Sequence, residues 1–211
     1  MKKTILLIIA FFSISTANVS AGSKYAGLDL VMLDVEDNVN NSSSPRGLAF
    51  KFGNIVSPNL KVEGIFAIGL GDDEIWNLSE SGTDPFLGTY SGKITGKLEL
   101  KNIFGVYLVG FSEISSNSDV YVKAGITNFK LDTTVDTTYS SSFLGSGAFS
   151  STISGKETGL SYGFGLNLGI SPTSMITLEY NVYPDVDVID EGEKYTLEST
   201  SINIGFKGSF E

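Results

Sequence analysis

The sequence predicts an all-β protein, an eight-stranded antiparallel up-and-down transmembrane β-barrel. Large apolar residues alternate with small or polar residues along much of the chain, which is the period of a β-strand. Beyond the first 21 residues, no segment offers the roughly 18 consecutive apolar residues that a spanning helix needs. The connections between the predicted strands are alternately short and long, which is typical of barrels that cross a bilayer.

The N-terminal segment is predicted to be a secretory signal peptide. Lys2 and Lys3 precede a short apolar run from Ile5 to Phe12, and small residues then lead to Ala21. A basic start, an apolar run and a small-residue cleavage site define such a peptide, and the run is too short to span a membrane as a helix. We therefore assign residues 1–21 to a signal peptide and residues 22–211 to one barrel domain.

Eight later segments place nearly all their apolar residues on even numbers. They are 26–32, 48–52, 60–68, 93–110, 120–126, 160–170, 176–182 and 202–210. In the clearest of them, Leu160 and Phe164 alternate with Ser161 and Gly165. Small residues suit a narrow, crowded interior, so the even-numbered side chains are predicted to face lipid and the odd-numbered ones the lumen.

The lengths of the connections predict the orientation of the barrel. Residues 54–59, 112–118 and 171–174 form short turns, whereas residues 34–45, 70–90, 132–158 and 184–193 form long loops. This asymmetry predicts periplasmic turns, extracellular loops and both termini in the periplasm. The loop 132–158 is rich in serine and glycine around 140–151 and is predicted to be flexible, either as a mobile solvated loop or as a contact surface.

The predicted lumen carries a nearly balanced set of charges. The odd-numbered strand positions hold five lysines and four acids, which are Asp29, Lys51, Lys61, Glu63, Lys97, Glu99, Lys123, Glu179 and Lys207. An unpaired buried charge costs several kcal/mol, so we expect Glu63 and Glu179 to pair with Lys61, Lys123 or Lys207. An eight-stranded barrel is only wide enough for its own side chains, so such a network would block free diffusion.

The composition restricts the chemistry that the protein can perform. The formal net charge is −10, and loss of Lys2 and Lys3 would leave 12 bases against 24 acids, so binding of nucleic acid is not expected. The chain has no histidine and no cysteine, which removes serine–histidine hydrolysis, disulfides and thiolate or histidine zinc sites.

Acidic clusters occur at 72–74 and 185–193, and they are either solvated loop charge or oxygen ligands for divalent ions. Neither has the spacing of a known calcium loop, although divalent ions could bridge them to lipopolysaccharide phosphates. No cofactor and no specific metal site are predicted.

The segments 121–125 and 160–165, together with the alternating strands and the signal peptide, resemble those of the small OmpA/OmpX-like outer-membrane β-barrel family, also called porin-like. The resemblance covers nearly the whole mature chain and implies residence in the bacterial outer membrane. The C-terminal segment 202–210 looks like the signal that the barrel-assembly machinery reads, which assigns Phe206 and Phe210 to assembly. Such a signal normally ends on the aromatic residue, whereas Glu211 follows here.

These observations predict a non-enzymatic barrel that contributes to envelope structure and displays acidic loops for adhesion or surface interaction. Lipopolysaccharide and a host or surface ligand are the expected partners, and a monomer is favoured. Two alternatives are a narrow channel for ions or small solutes and a secreted soluble β-barrel that binds a lipid-like ligand. An enzyme is the least favoured alternative.

Overall fold

The computed structural model describes residues 23–39, 41–115, 118–190 and 193–210. The predicted signal peptide at 1–21 lies outside these residues. The described part of the chain forms 11 β-strands, and no helix in it is long and apolar enough to cross a membrane.

The strands form one antiparallel sheet that closes on itself. In chain order they are β1 (Lys24–Asp37), β2 (Ser42–Ser43), β3 (Arg46–Ser57), β4 (Leu60–Gly69), β5 (Asp72–Asp84), β6 (Gly88–Ser115), β7 (Ser118–Ser141), β8 (Gly145–Ser171), β9 (Ser174–Val182), β10 (Val186–Asp190) and β11 (Glu193–Phe210). Within the described residues, eight of them make the wall in the order β1-β3-β4-β6-β7-β8-β9-β11. The predicted eight-stranded up-and-down barrel is confirmed.

The first and last strands close the wall. β11 pairs antiparallel with β1 from Lys24 opposite Phe210 to Asp37 opposite Leu197. This pairing satisfies the backbone N–H and C=O groups that an open sheet would leave exposed at its two edges. A closed wall is what a strand-built protein needs in hydrocarbon, where no water is available to hydrogen-bond the backbone.

The two ends of the barrel differ, as the connection lengths predict. The three short connections, between Ser57 and Leu60, Ser115 and Ser118, and Ser171 and Ser174, lie at the end where the described residues begin and end, and we call this the terminal end of the barrel. At the opposite end, three of the four predicted long loops contain the additional strands β2, β5 and β10, which pair with β1, β6 and β11.

Residues 132–158 do not form the long loop that the sequence predicts. β7 and β8 remain paired through this region, from Asp132 opposite Ser154 to Ser141 opposite Gly145. Only residues 142–144 turn, and Gly145 follows them with a φ of 84°, a conformation that glycine adopts without steric cost. The serine-rich segment is therefore a long hairpin that extends beyond the barrel.

Exposure of the wall side chains alternates with residue parity. Even-numbered apolar residues such as Phe104, Phe164 and Leu178 are exposed on the outer face, which forms an apolar belt around the barrel. The odd-numbered residues beside them, such as Ser161 and Glu179, are buried inside. This arrangement agrees with the predicted lipid-facing and lumen-facing sets over most of the wall.

Candidate functional site

Eight charged side chains are buried in the half of the barrel nearer the chain termini. Four are lysines and four are acids, so the set is neutral among the described residues: Lys51, Lys61, Lys123, Lys207, Asp29, Glu63, Asp119 and Glu179. Seven of them belong to the set predicted from the sequence. A neutral set suits this location, because an unpaired charge in a water-poor interior costs several kcal/mol.

Glu179 on β9 is the centre of this lumen network. Its Oε1 accepts hydrogen bonds from the ammonium groups of Lys51 and Lys123, each at 2.8 Å. Its Oε2 accepts a hydrogen bond of 2.8 Å from the Tyr121 hydroxyl. Lys51 also forms an ion pair with Asp29 on the neighbouring strand β1. Cations from two separate strands, β3 and β7, therefore converge on one carboxylate from β9.

Glu63 on β4 organises the adjacent part of the network. Its Oε2 lies 3.2 Å from the Lys207 ammonium and accepts a 2.8 Å hydrogen bond from the Tyr25 hydroxyl. Lys123 lies 3.7 Å from Oε1 of the same carboxylate, so Lys123 bridges Glu63 and Glu179. The Lys207 ammonium also sits 5.0 Å from the ring centroids of Tyr25 and Tyr121, within range of a cation–π attraction.

Of the three lysines predicted as alternative partners of Glu63 and Glu179, Lys123 and Lys207 contact these carboxylates, whereas Lys61 pairs elsewhere. Its ammonium lies 3.0 Å from Oδ2 of Asp119 and 3.9 Å from the ring centroid of Phe111. Asp119 is absent from the predicted set because the predicted fifth strand begins at residue 120, whereas β7 begins at Ser118. Extending the odd-numbered alternation of Tyr121 and Lys123 back by one step would have found it.

The prediction that Lys97 and Glu99 lie in the lumen is wrong. Both side chains are more than one-third exposed, whereas their neighbours Leu98 and Leu100 are fully buried. The cause is a β-bulge, because Leu100 pairs with Leu131 and Asn102 with Lys130, so Lys101 is an extra residue in β6. One extra residue exchanges the two faces of a strand, so the inward set changes from even to odd along β6.

The interior beyond this bulge is apolar. Leu33, Leu98, Leu100, Phe129 and Leu131 are almost completely buried there. Further members of the same cluster are Val31, Val35, Ile103, Tyr183, Val186, Val188 and Leu197. We call this cluster the apolar plug. The prediction of a wholly polar lumen therefore holds only for the half nearer the termini, and the other half is packed like the core of a soluble protein.

The sheet continues past the plug as a projecting sheet, made of β5, residues 88–99 of β6, residues 132–141 of β7 and residues 145–154 of β8. One cross-strand row contains Leu78, Ile94, Thr137 and Phe149. Because β6 is regular between residues 88 and 100, alternation from Leu98 places this row on the face that continues the barrel interior. Leu78 and Phe149 are well exposed, so this face presents apolar groups to water.

The outward-turned charges tie the projecting sheet together. The Lys97 ammonium lies 2.9 Å from Asp136 and 3.6 Å from Asp72, which joins β5, β6 and β7. A hydrogen bond from Ser150 and the pairing with Lys97 lower the pKa of Asp136 below its ordinary value. Asp136 therefore remains ionised at neutral pH and links the sheet electrostatically.

The acidic clusters at 72–74 and 185–193 are partly engaged in local contacts. Asp73 accepts hydrogen bonds from the Ser43 hydroxyl and the Ser44 amide, which attaches β5 to the β2 region. Asp187 lies 2.7 Å from the Lys194 ammonium, and this cation together with Thr196 lowers its pKa. In the described part of the chain, no three of these carboxylates group as a metal site.

The two predicted assembly residues lie on the outer face of β11. Phe206 and Phe210 are each about half exposed, at 48% and 52%. Phe206 pairs with Leu28 and Phe210 with Lys24 across the closing seam with β1. The structure therefore presents both aromatic rings on the outside of the strand that closes the barrel.

Comparison with protein families gives one match, which covers nearly the whole chain. The model of the outer membrane protein β-barrel domain matches residues 4–210. No curated protein matches the chain.

Several solved outer-membrane structures share the fold. Neisserial surface protein A aligns with a TM-score of 0.53 at 12% identity, over 89% of this chain and 97% of that chain. The outer membrane protease OmpT from Escherichia coli aligns with a TM-score of 0.53 at 12% identity, over 92% and 99%. The attachment invasion locus protein Ail of Yersinia pestis gives a TM-score of 0.49 at 16% identity, over 89% and 99%. At 12% identity, the first two of these structures show a common fold alone.

Proposed function

Because this chain belongs to the outer membrane protein β-barrel domain family, and so resides in the bacterial outer membrane, we propose that it is a non-enzymatic, non-conducting barrel that displays a β-sheet surface outside the cell. The apolar outer belt lies in lipid. The alternative of a secreted soluble barrel is therefore wrong, because that alternative requires a protein released from the membrane.

The apolar plug is the observation that carries the proposal. An ion that entered from the end of the chain termini would meet the lysine and carboxylate groups of the lumen network, which already bind one another. It would then meet Leu98, Leu100 and Phe129, whose side chains are completely buried and offer no polar partner. Desolvation of an ion in such a layer is strongly unfavourable, so the interior supports stability rather than transport.

The opposite end of the barrel supports a display role. It lies away from both termini, which in this class of barrel is the extracellular side. Since the buried lumen set is neutral, the formal net charge of −10 is carried by the rest of the chain, largely in its extracellular strands and ends. The projecting sheet therefore offers an acidic, partly aromatic surface for adhesion or another surface interaction, in addition to the structural role of the wall.

The chemistry and the surroundings of the chain support the remaining parts of the proposal. The absence of histidine and cysteine removes the common nucleophile–base pairs, which favours a non-enzymatic role. Lipopolysaccharide in the outer leaflet would contact the apolar belt and the acidic residues where the extracellular loops leave the barrel.

Phe206 and Phe210 would engage the barrel-assembly machinery during insertion. The acidic surface disfavours nucleic acid, and a monomer remains our expectation.

Planar-bilayer recording tests whether the barrel is closed. We expect the purified, refolded full chain to give no stable unitary currents at neutral pH, because the plug blocks the lumen. A double variant, Leu98→Ser and Leu100→Ser, hydrates the plug and is expected to give brief openings if it folds. If the double variant folds and still gives no currents, the lumen network by itself is sufficient to block ions. Stable currents from the unmodified chain would support the channel alternative.

Cysteine labelling on intact cells tests the direction of display. The chain has no cysteine, so Leu144→Cys at the β7–β8 turn introduces a single thiol at an exposed position. We expect a membrane-impermeant maleimide to label this variant on intact cells. Thr173→Cys in the β8–β9 turn is the matched control and is expected to react only after the outer membrane is opened. The reverse pattern would refute extracellular display.

A further inference from the structure

A polar cavity lies on the projecting sheet, remote from the lumen network. Its volume is about 420 Å³, and residues of β5, β6 and β7 line it. Its central cross-strand row is Glu80, Gly92 and Tyr139. The rows on either side, which contain Ser81, Ser91 and Ser140, and Ser79, Lys93 and Thr138, contribute backbone to the lining, because their side chains point to the opposite face of the sheet.

Gly92 makes the centre of this row open. A side chain there would meet nothing closer than 3.9 Å, so the position has free space above the sheet. Glu80 and Tyr139 stand on the two flanking strands, about 9–10 Å apart by the spacing of adjacent strands. They therefore form the two sides of a slot whose floor is backbone.

Both sides of the slot are held in place. The Tyr139 ring lies against the backbone of Gly147 on β8, where a larger residue would clash with it, yet the side chain is 54% exposed. The Tyr90 hydroxyl donates a hydrogen bond of 3.3 Å to Oε1 of Glu80, which orients that carboxylate. Preorganised groups lose little conformational freedom when a ligand binds.

The chemistry of the slot selects one class of ligand. An exposed aromatic ring packs against the C–H face of a sugar ring, and a carboxylate accepts hydrogen bonds from sugar hydroxyls. The Tyr90 and Tyr139 hydroxyls, which lie on the same face, supply further donors and acceptors. Lys93 is the one lysine in the lining and its side chain points to the opposite face, so the slot presents the negative charge of Glu80 without a cation, which disfavours sulfated or sialylated sugars.

We propose that this slot binds a neutral saccharide, with Tyr139 as the stacking platform and Glu80 as the hydroxyl acceptor. The inference rests on the proposed display function, because the slot must be outside the cell to meet such a ligand. The saccharide belongs either to another cell surface or to the polysaccharide of the same bacterial surface, and both present neutral rings to the slot.

A glycan array tests this inference with the full chain. The barrel is held in a phosphocholine detergent, because a maltoside or glucoside detergent would itself occupy the slot. The array carries neutral oligosaccharides of host type, neutral bacterial O-antigen repeats and sulfated heparin oligosaccharides. We expect retention on one or both neutral sets and none on heparin. The set that binds identifies the source of the ligand.

Substitutions at Tyr139 and Glu80 test whether the glycan binds at the slot. Tyr139→Ala is expected to weaken binding of the best neutral glycan by about tenfold, because the platform is lost. Tyr139→Phe keeps the ring and should retain most of the affinity, and Glu80→Gln should weaken binding. Phe143→Ala removes an exposed ring outside the slot and serves as the control with unchanged affinity. Heat-modifiable gel mobility verifies that each variant is folded.

Three results would overturn the inference. They are no retention on any neutral glycan, preference for heparin, and neutral binding that Tyr139→Ala leaves intact. The display proposal is judged separately by labelling of Leu144→Cys, so a negative array with normal labelling refutes only the saccharide.

Discussion

Replacing Glu179 with glutamine is expected to lower the free energy of unfolding of the barrel by roughly 3–5 kcal/mol. Glu179 accepts hydrogen bonds from Lys51, Lys123 and Tyr121, and it is fully buried. Glutamine keeps the size of the side chain but removes its charge, and its NH₂ group cannot accept a hydrogen bond. The variant therefore leaves two buried ammonium groups with too few carboxylates around them.

Urea unfolding of the refolded protein in lipid vesicles measures this loss of stability. The shift in gel mobility between the folded and unfolded forms is the readout. Glu157→Gln is the matched control, because Glu157 lies on the exposed part of β8 and its substitution should leave the midpoint nearly unchanged. Adding Lys123→Met to Glu179→Gln restores the charge balance and should recover part of the stability. Equal midpoints for Glu179→Gln and Glu157→Gln would show that the network does not stabilise the fold.

Truncation of Phe129 to alanine is expected to cost about 3–5 kcal/mol of stability, the range for large-to-small substitution in a packed core. Phe129 is completely buried in the apolar plug, and its ring stacks on Tyr183 with centroids 5.0 Å apart. The wall around it is a closed sheet that cannot collapse into the gap, so the cavity should persist.

The same vesicle assay measures this change against Phe149→Ala. Phe149 lies on the projecting sheet and is 67% exposed, so its truncation removes little buried surface and should cost far less. Xenon or benzene should partly restabilise Phe129→Ala, because an apolar cavity of this kind stays dry. A loss of stability no larger than that of Phe149→Ala would mean that the plug is loosely packed.

The wall of the barrel is predictable from sequence because lipid-facing apolar residues alternate with small or polar lumen-facing residues along each wall strand. Leu160 and Phe164 meet hydrocarbon while Ser161 and Gly165 meet a crowded lumen, and no other fold of an exported chain needs that combination. Burial of Asp29, Lys51 and Glu63 follows from the same parity. Pairing partners do not follow, because they depend on which strands face each other across the lumen.

The sequence predictions are wrong where the parity or the polarity of a residue no longer indicates which face of the sheet, or which kind of element, it belongs to. The bulge at Lys101 reverses the faces of β6, and Lys101 itself carries no local signal of it, so Lys97 and Glu99 were assigned to the wrong side. Residues 132–158 are mostly polar, with only scattered apolar residues such as Val135 and Phe149, so the sequence lacks the regular apolar alternation that marks a strand. Asp119 is missed for a simpler reason, the placement of one strand boundary.

The seam between β1 and β11 has a consequence for biogenesis. Lys24 pairs with Phe210, so residues near the two extremes of the exported chain must meet before the wall is complete. Bringing such distant segments together carries a large loop-closure entropy, which makes this step slow without assistance. Until β11 has paired with β1, every intermediate has two unsatisfied sheet borders, and such borders are templates for pairing with other chains and for aggregation.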